Sequence, residues 1–325
     1  MVDPIHSSVT PSVVAVEARP GLAAAVTTAL AAARAVEPPG PEAAVALARL
    51  DAAGRQVSLA PLLANLEQAL GSKALPATVK AAIRQVLALQ TPTEGPLTAE
   101  TVKQAIARSG LFLEARLARG EPAPVDLKAA LLMLQQVLAP MAPRSANRPQ
   151  RPAAAPPTSG GPLAGQAPVA PTLDPGAEPA TLVPLLRGEV EQALARQTLH
   201  QLASLPDAPG AHWMFELPLA TPQGPAIAQF AIDRDDPHRA SPHVPPAWQA
   251  RFSLDLPPLG PVHVNLRMDG ERTAVTLWAE QPESLERLRR QGDELASALA
   301  ADVVFRPGSP RPPEPPPGRL VDHRS

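Results

Sequence analysis

Trp248-Gln249-Ala250-Arg251-Phe252-Ser253-Leu254-Asp255-Leu256, followed by Val262-His263-Val264-Asn265-Leu266-Arg267-Met268-Asp269-Gly270, is the most regularly patterned stretch of the chain. Its first half places Trp248, Ala250, Phe252, Leu254 and Leu256 on one side and Gln249, Arg251, Ser253 and Asp255 on the other. That period of two is the mark of a half-buried strand. The second half repeats it, with Val262, Val264, Leu266 and Met268 opposed to His263, Asn265 and Arg267. Asp269-Gly270 then predicts a tight hairpin turn, in which both residues take positive φ. A further strand runs from Thr273 to Trp278. Beyond it, Pro282 to Ala300 spaces Leu285, Leu288, Leu295 and Leu299 as one helical stripe, with Glu283 and Glu286 in the first turn, where the helix dipole favours acids. Four leucines taken out of water at ~1.5 to 3 kcal/mol each give on the order of 6 to 12 kcal/mol of gross burial, enough to hold the helix on one sheet face.

Upstream, Trp213, Phe215, Leu217 and Leu219 alternate as a strand, Ala226 to Ile232 supplies its partner, and a polar loop from Asp233 to Pro246 leads into the Trp248 strand. Val303 to Phe305 reads as the last strand. The predicted fold class is α+β: a compact C-terminal, mostly antiparallel sheet with one covering helix, preceded by loose Ala-rich helices and a Pro-rich disordered linker. Composition supports that division. All three tryptophans and four of the five phenylalanines lie between residues 211 and 305, so large side chains that can build a core are concentrated there. The 44 prolines and 19 glycines weight the remainder toward looser material.

In order, residues 1–20 are expected to be disordered and 21–139 to hold short Ala-rich helices. These are predicted over Leu22–Val36, Glu42–Ala53, Leu59–Leu70, Ala77–Leu89, Ala99–Arg108 and Val125–Leu138. Isolated helices of that length with such small side chains are marginal in water, which is why a loose array is expected. Residues 140–180 form the linker, with 11 prolines in the 40 residues from Pro140 to Pro179. Extended as polyproline II, it spans on the order of 120 Å at ~3.1 Å per residue. A helix is expected over 181–205 (Leu182–Leu205), the C-terminal domain over 206–306, and a Pro-rich disordered tail over 307–325.

Few chemistries survive inspection of the residue types. There is no cysteine, which removes disulfides, thiolate zinc sites and cysteine nucleophiles. A formal net charge of −2 with no clustered basic face speaks against nucleic acid as a partner. No apolar run reaches the ~18 residues of a spanning helix, so no membrane insertion is expected, and the N-terminus lacks the basic start of a Sec signal peptide. The histidines at 6, 200, 212, 238, 243, 263 and 323 make no metal-binding spacing. The densest polar cluster, Asp233 to His243, reads as a proline-broken loop in which Arg234 and Arg239 compete for the carboxylates. Gly71-Ser72-Lys73 lacks the earlier glycine of a phosphate loop and reads as a helix end. His263, Asn265 and Arg267 read as a solvated outer sheet face, and Glu280 and Glu283 as helix-start charges. No catalytic, cofactor-binding or metal residue is assigned, no cofactor is expected, and the chain is not read as an enzyme.

The pattern resembles the C-terminal domain of the bacterial flagellar hook-length control family. The resemblance is carried by Leu254-Asp-Leu256-Pro-Pro-Leu259-Gly260-Pro-Val262-His-Val264-Asn-Leu266-Arg-Met268, the hairpin to Leu277-Trp278, the leucine helix and Val303-Val304-Phe305. The patch Ser109 to Glu114 also looks like one found in longer relatives. The resemblance implies a cytoplasmic protein that is exported through the flagellar type III apparatus, with its export signal in residues 1–20, and that acts as a monomer. Its N-terminal half gauges the growing hook, passing with hook and hook-cap subunits. Its C-terminal domain contacts the cytoplasmic domain of the export-gate switch protein, changing secretion from rod and hook to filament substrates. Partner-binding positions carried over by motif are Val262, Val264 and Leu295. A different reading is a Pro-rich scaffold or adaptor whose C-terminal sheet binds a partner peptide by edge-strand addition.

Overall fold

The computed structural model describes residues 40–95, 97–122, 125–141, 155–158, 161–205, 212–234, 247–270 and 272–310. The helix expected at Leu22–Val36, the polar cluster from Asp235 to His243 and the tail beyond Pro310 lie outside them. Five strands run consecutively and antiparallel, β2 (His212–Thr221), β3 (Gly224–Arg234), β4 (Trp248–Leu256), β5 (Gly260–Asp269) and β6 (Arg272–Ala279). The edges are parallel additions: β1 (Thr91–Pro92) beside β2, and β7 (Ala301–Pro307) beside β6. The fold class is α+β with a mostly antiparallel sheet.

The register turns the period-two pattern into rows that cross the sheet. Phe215, Phe230, Phe252, Val264, Leu277 and Phe305 are successive partners on one face. The three phenylalanine rings stack with centroids 5.3 and 5.2 Å apart. One residue along, the opposite face carries Glu216, Gln229, Ser253, His263, Trp278 and Arg306. A one-residue slip of any strand would exchange the two rows, so burial of the aromatic row fixes the register.

The aromatic face is covered in two places. At the β2–β3 end, Leu111, Phe112, Ala105 and Ile106 pack on Phe215, Leu217 and Leu219. They come from α4 (Ala99–Ala107) and the turn into α5 (Leu113–Ala118), a short helix absent from the sequence expectation. At the other end, Leu285, Leu288 and Leu295 pack on Val262, Val264, Val275 and Leu277. The expected single covering helix is two: α8 (Pro282–Arg290) and α9 (Gly292–Leu299). Gly292 explains the break, because a Cβ there would sit 2.8 Å from the Phe305 ring. The backbone must come that close for Phe305 to stay under the helices, and the re-aimed α9 leaves Leu299 40 % exposed, out of the stripe.

The turn after β5 also differs from expectation. Asp269 pairs with Arg272, so Gly270, at φ +59, opens the two-residue loop and Asp269 ends the strand. The loop is therefore centred one residue later than Asp-Gly suggested.

The other face meets the helices of the first half. α2 (Leu59–Ala69), α3 (Ala77–Leu87), α6 (Leu127–Leu138) and α7 (Pro179–Ala203) share one core. Leu66, Ile83, Val86, Leu131, Leu134, Leu138 and Leu186 are sealed from water in it. Ile227 of β3 belongs to the same core. The sequence suggests a loose array beside an independent sheet. The structure packs these helices tightly and joins them to the sheet, with the described residues from Leu47 onward forming one compact unit. Small side chains permit this, since alanines at the contacts let backbones approach closely enough for the leucines to interdigitate. α1 (Pro41–Arg55) has its C-terminal end against α7, with Ala52 packed on Ala195 and Leu199.

The proline-rich segment is the largest departure from the sequence expectation. Residues 161–178 hold no helix and no strand beyond a bridge at Gln166, yet they run across the polar face of the sheet as a strap held by hydrogen bonds. Asn65 receives the amides of Thr172 and Leu173 at 2.7 and 3.0 Å.

Candidate functional site

Polar groups collect on the face opposite the aromatic row. Glu216 is completely buried and receives Arg196 of α7 through Nη2 at 2.7 Å and through Nε at 2.9 and 3.0 Å. Gln166 of the strap donates to the same carboxylate at 3.0 Å. His200 Nε2 stands 3.5 Å away, one turn further along α7. Arg196 also reaches Gln56 at 2.6 Å and the carbonyl of Ala155 at 3.2 Å. Burial pushes the Glu216 carboxyl up, but the Arg196 guanidinium and His200 outweigh it and hold the group at about 2. The cluster thus ties α7 and the strap to β2 through one carboxylate, and Arg196 extends it to Gln56 and Ala155.

Farther along the row, His263 is 8 % exposed and its Nε2 lies 3.1 Å from Glu280. Sequence reading treats His263 as solvated and Glu280 as a helix-start charge. Instead, Glu280 precedes the helix and faces His263, while Glu283 alone sits in the first turn of α8. Burial, and then Glu280, push Asp255 on the neighbouring strand up, with His263 opposing. Asn265 is half-buried and receives Gln249 at 2.9 Å, and Arg267 is exposed. Asp233 is engaged by His212 and, at 3.7 Å, by Arg251.

Val262 and Val264 lie on the other face, 6 % and 9 % exposed, under Leu285 and the half-buried Leu295. The structure brings all three motif positions into a single apolar cluster between β5 and α9. Sequence reading did not find the Arg196–Glu216 cluster. Glu216 falls on the face opposite Trp213, Phe215, Leu217 and Leu219, where alternation allows a polar residue, so nothing local marks it as buried.

Among the described residues no group of three or more His, Cys, Asp or Glu side chains is placed to hold a metal ion. No described helix is long and apolar enough to cross a membrane. What the geometry defines is an α+β module whose distinguishing features are packing and contact surfaces. Residues 238–304 match the family model described as flagellar hook-length control protein FliK, so this C-terminal segment is similar to a hook-length control domain. No curated protein matches the chain. No solved structure does so either.

Proposed function

We propose that the protein controls hook length in flagellar assembly. It is exported through the flagellar type III apparatus as a ruler, and its C-terminal module contacts the cytoplasmic domain of the export-gate switch protein, changing secretion from rod and hook to filament substrates. The observation that carries this is the family match over residues 238–304, which spans β4 to β6, part of β7 and the whole of α8 and α9. Val262, Val264 and Leu295 contribute through the cluster they form: they hold β5 and α9 together, and so set the surface offered to the partner. The absence of cysteine suits an exported chain, since no cross-link can form on the way. If fully extended at ~3.3 Å per residue, the 205 residues before the module reach on the order of 650 Å.

Loss of the gene in its native bacterium should give hooks of uncontrolled length without filaments. Normal hooks and filaments in that strain would overturn the proposal. Lengthening residues 140–179 should lengthen the hook, and an unchanged length removes the ruler role from that segment.

One observation favours a second reading, a non-enzymatic adaptor that takes a partner strand. β7 is the last strand of the sheet, and its Val304 is 46 % exposed on the face that also carries the half-buried Trp278. Strand addition there predicts binding that survives Val304→Thr and is lost on Val303→Pro: the Gly308 amide donates to Ala279, so the amides of Arg306 and Val304 also face β6 and that of Val303 is a donor at the open edge.

A further inference from the structure

The strap crosses the sheet on hydrogen bonds to the polar row. Ala164 donates its amide to Gln229 Oε1 at 2.8 Å and Gly165 to Ser253 Oγ at 3.0 Å. Gln166 exchanges both main-chain bonds with Ile227 at 2.9 Å, and its side chain reaches Glu216 at 3.0 Å. These contacts read an extended backbone more than they read side chains. Glycine is required at position 165, because a Cβ there would lie 2.6 Å from the amide nitrogen of Asp255 and from the carbonyl carbon of Leu254. Two further bonds hold the segment: the Ala60 amide donates to Gln166 Oε1 at 3.1 Å, and Arg251 donates to the Gly161 carbonyl at 3.3 Å. Between 161 and 170 no residue is buried, and Leu163 alone packs on the apolar patch of Met214 and Ala231. The floor is also unlike a permanent core. Gln229 and Ser253 are buried yet polar, so water can replace the strap's amides where an apolar floor could not be exposed.

We propose that this row is the floor of a peptide-docking groove which residues 161–169 fill in cis, and that the groove takes an extended segment of a partner protein when the strap leaves. The segment would carry a glycine followed by a side-chain amide, the chemistry of Gly165-Gln166. Recognition combines one antiparallel bridge to β3, at Ile227 beyond the stretch that β3 pairs with β4, with side-chain acceptors for the two preceding amides, a form of strand addition to that open stretch of β3. The proposal is independent of the flagellar reading, since it rests on the strap contacts alone.

The test uses the full chain and a fluorescein-labelled peptide of residues 161–169. Gly165→Leu displaces the strap without altering the floor. Fluorescence anisotropy should show the peptide binding Gly165→Leu at least tenfold more tightly than the unaltered protein, and Gln229→Ala with Ser253→Ala added should abolish that gain. No binding by a folded Gly165→Leu protein, or equal binding to both proteins, overturns the proposal. Should Gly165→Leu not fold, amide hydrogen exchange of the unaltered chain decides. A releasable strap exchanges the amides of Ala164, Gly165 and Gln166 at least tenfold faster than the paired amides of β3, and equal protection of the two sets overturns the proposal.

Discussion

Arg196 and Glu216 meet through three nitrogen–oxygen contacts of 2.7, 2.9 and 3.0 Å, with both side chains almost wholly out of water. Such a pair adds little net stability when intact, because desolvation offsets most of the attraction. Breaking it by one partner strands a buried charge. Glu216→Gln should therefore destabilise the chain by about 3 to 5 kcal/mol, read as a lower urea midpoint. Arg196→Met combined with Glu216→Leu should cost less than Glu216→Gln alone. A single substitution costing under about 0.5 kcal/mol would show that water reaches the cluster.

The same pair predicts acid sensitivity. Glu216 is held at about 2 against an ordinary value of 4.5. A carboxyl depressed on folding contributes stability that is fully present above its unfolded value and is lost as pH falls through its folded one. The loss should therefore begin near pH 4.5, be complete near pH 2, and amount to on the order of 3 kcal/mol for this group. Chemical denaturation at stepped pH measures it. The variant Glu216→Gln should lack that part of the slope.

Val264 and Val304 separate packing from contact. Val264 is sealed between β5 and α8–α9, whereas Val304 projects from the edge strand. Placing a carboxylate in the first site leaves a buried charge unpaired, so Val264→Asp should unfold this part of the module, seen as loss of near-ultraviolet circular dichroism from Trp278 and Trp248. Val304→Asp should leave the fold within about 0.5 kcal/mol of the parent. Leu295→Ala, at a half-buried position, should cost roughly 1 to 2 kcal/mol, less than a fully buried leucine. If Val264→Asp abolishes function while the fold is retained, the valine acts by direct contact and the packing account fails.

Much of this architecture is legible in the sequence because alternation and register obey local rules. Phe252 and Val264 share a face by counting, and the leucines of α8 declare their stripe. Long-range consequences are not legible that way. Nothing local says that Gly292 must admit the Phe305 ring, and so nothing local breaks the helix at Gln291. Proline content reads as disorder because it excludes helices and strands, but it does not exclude a strap whose amides are received by Gln229, Ser253 and Asn65. Those acceptors lie 65, 88 and 107 residues from their donors. The candidate site follows the same division: Val262, Val264 and Leu295 come from a motif, while Glu216 and Arg196 are brought together by the fold alone.

Ala300 ends α9 at φ +48, ψ +45, a left-handed position that glycine adopts without a Cβ clash. β7 begins at the next residue, so the chain has no room to reverse in another way. Ala300→Gly should therefore stabilise the module by about 0.5 to 1 kcal/mol, the relief of the Cβ contact less the added chain entropy. Thermal melting followed at 222 nm tests it, with a raised midpoint expected. A lowered midpoint would show that entropy dominates.

Asn65 joins the strap to the helical core with every polar atom of its side chain. Its Oδ1 receives the amides of Thr172 and Leu173, and its Nδ2 donates to Glu189 at 2.8 and 3.0 Å. Because the side chain is sealed from water, Asn65→Ala removes these partners without solvent to replace them. Unmet buried groups cost ~1 to 3 kcal/mol each, so a total of roughly 3 kcal/mol is expected after local relaxation. Asn65→Asp keeps the acceptor for the two amides but sets a second carboxylate against Glu189, so it should also destabilise, and more strongly above pH 5 than below. Urea titrations at pH 4.5 and pH 7 separate the two effects. Equal destabilisation by Asp at both values would show that the lost donor, and not charge repulsion, governs the site.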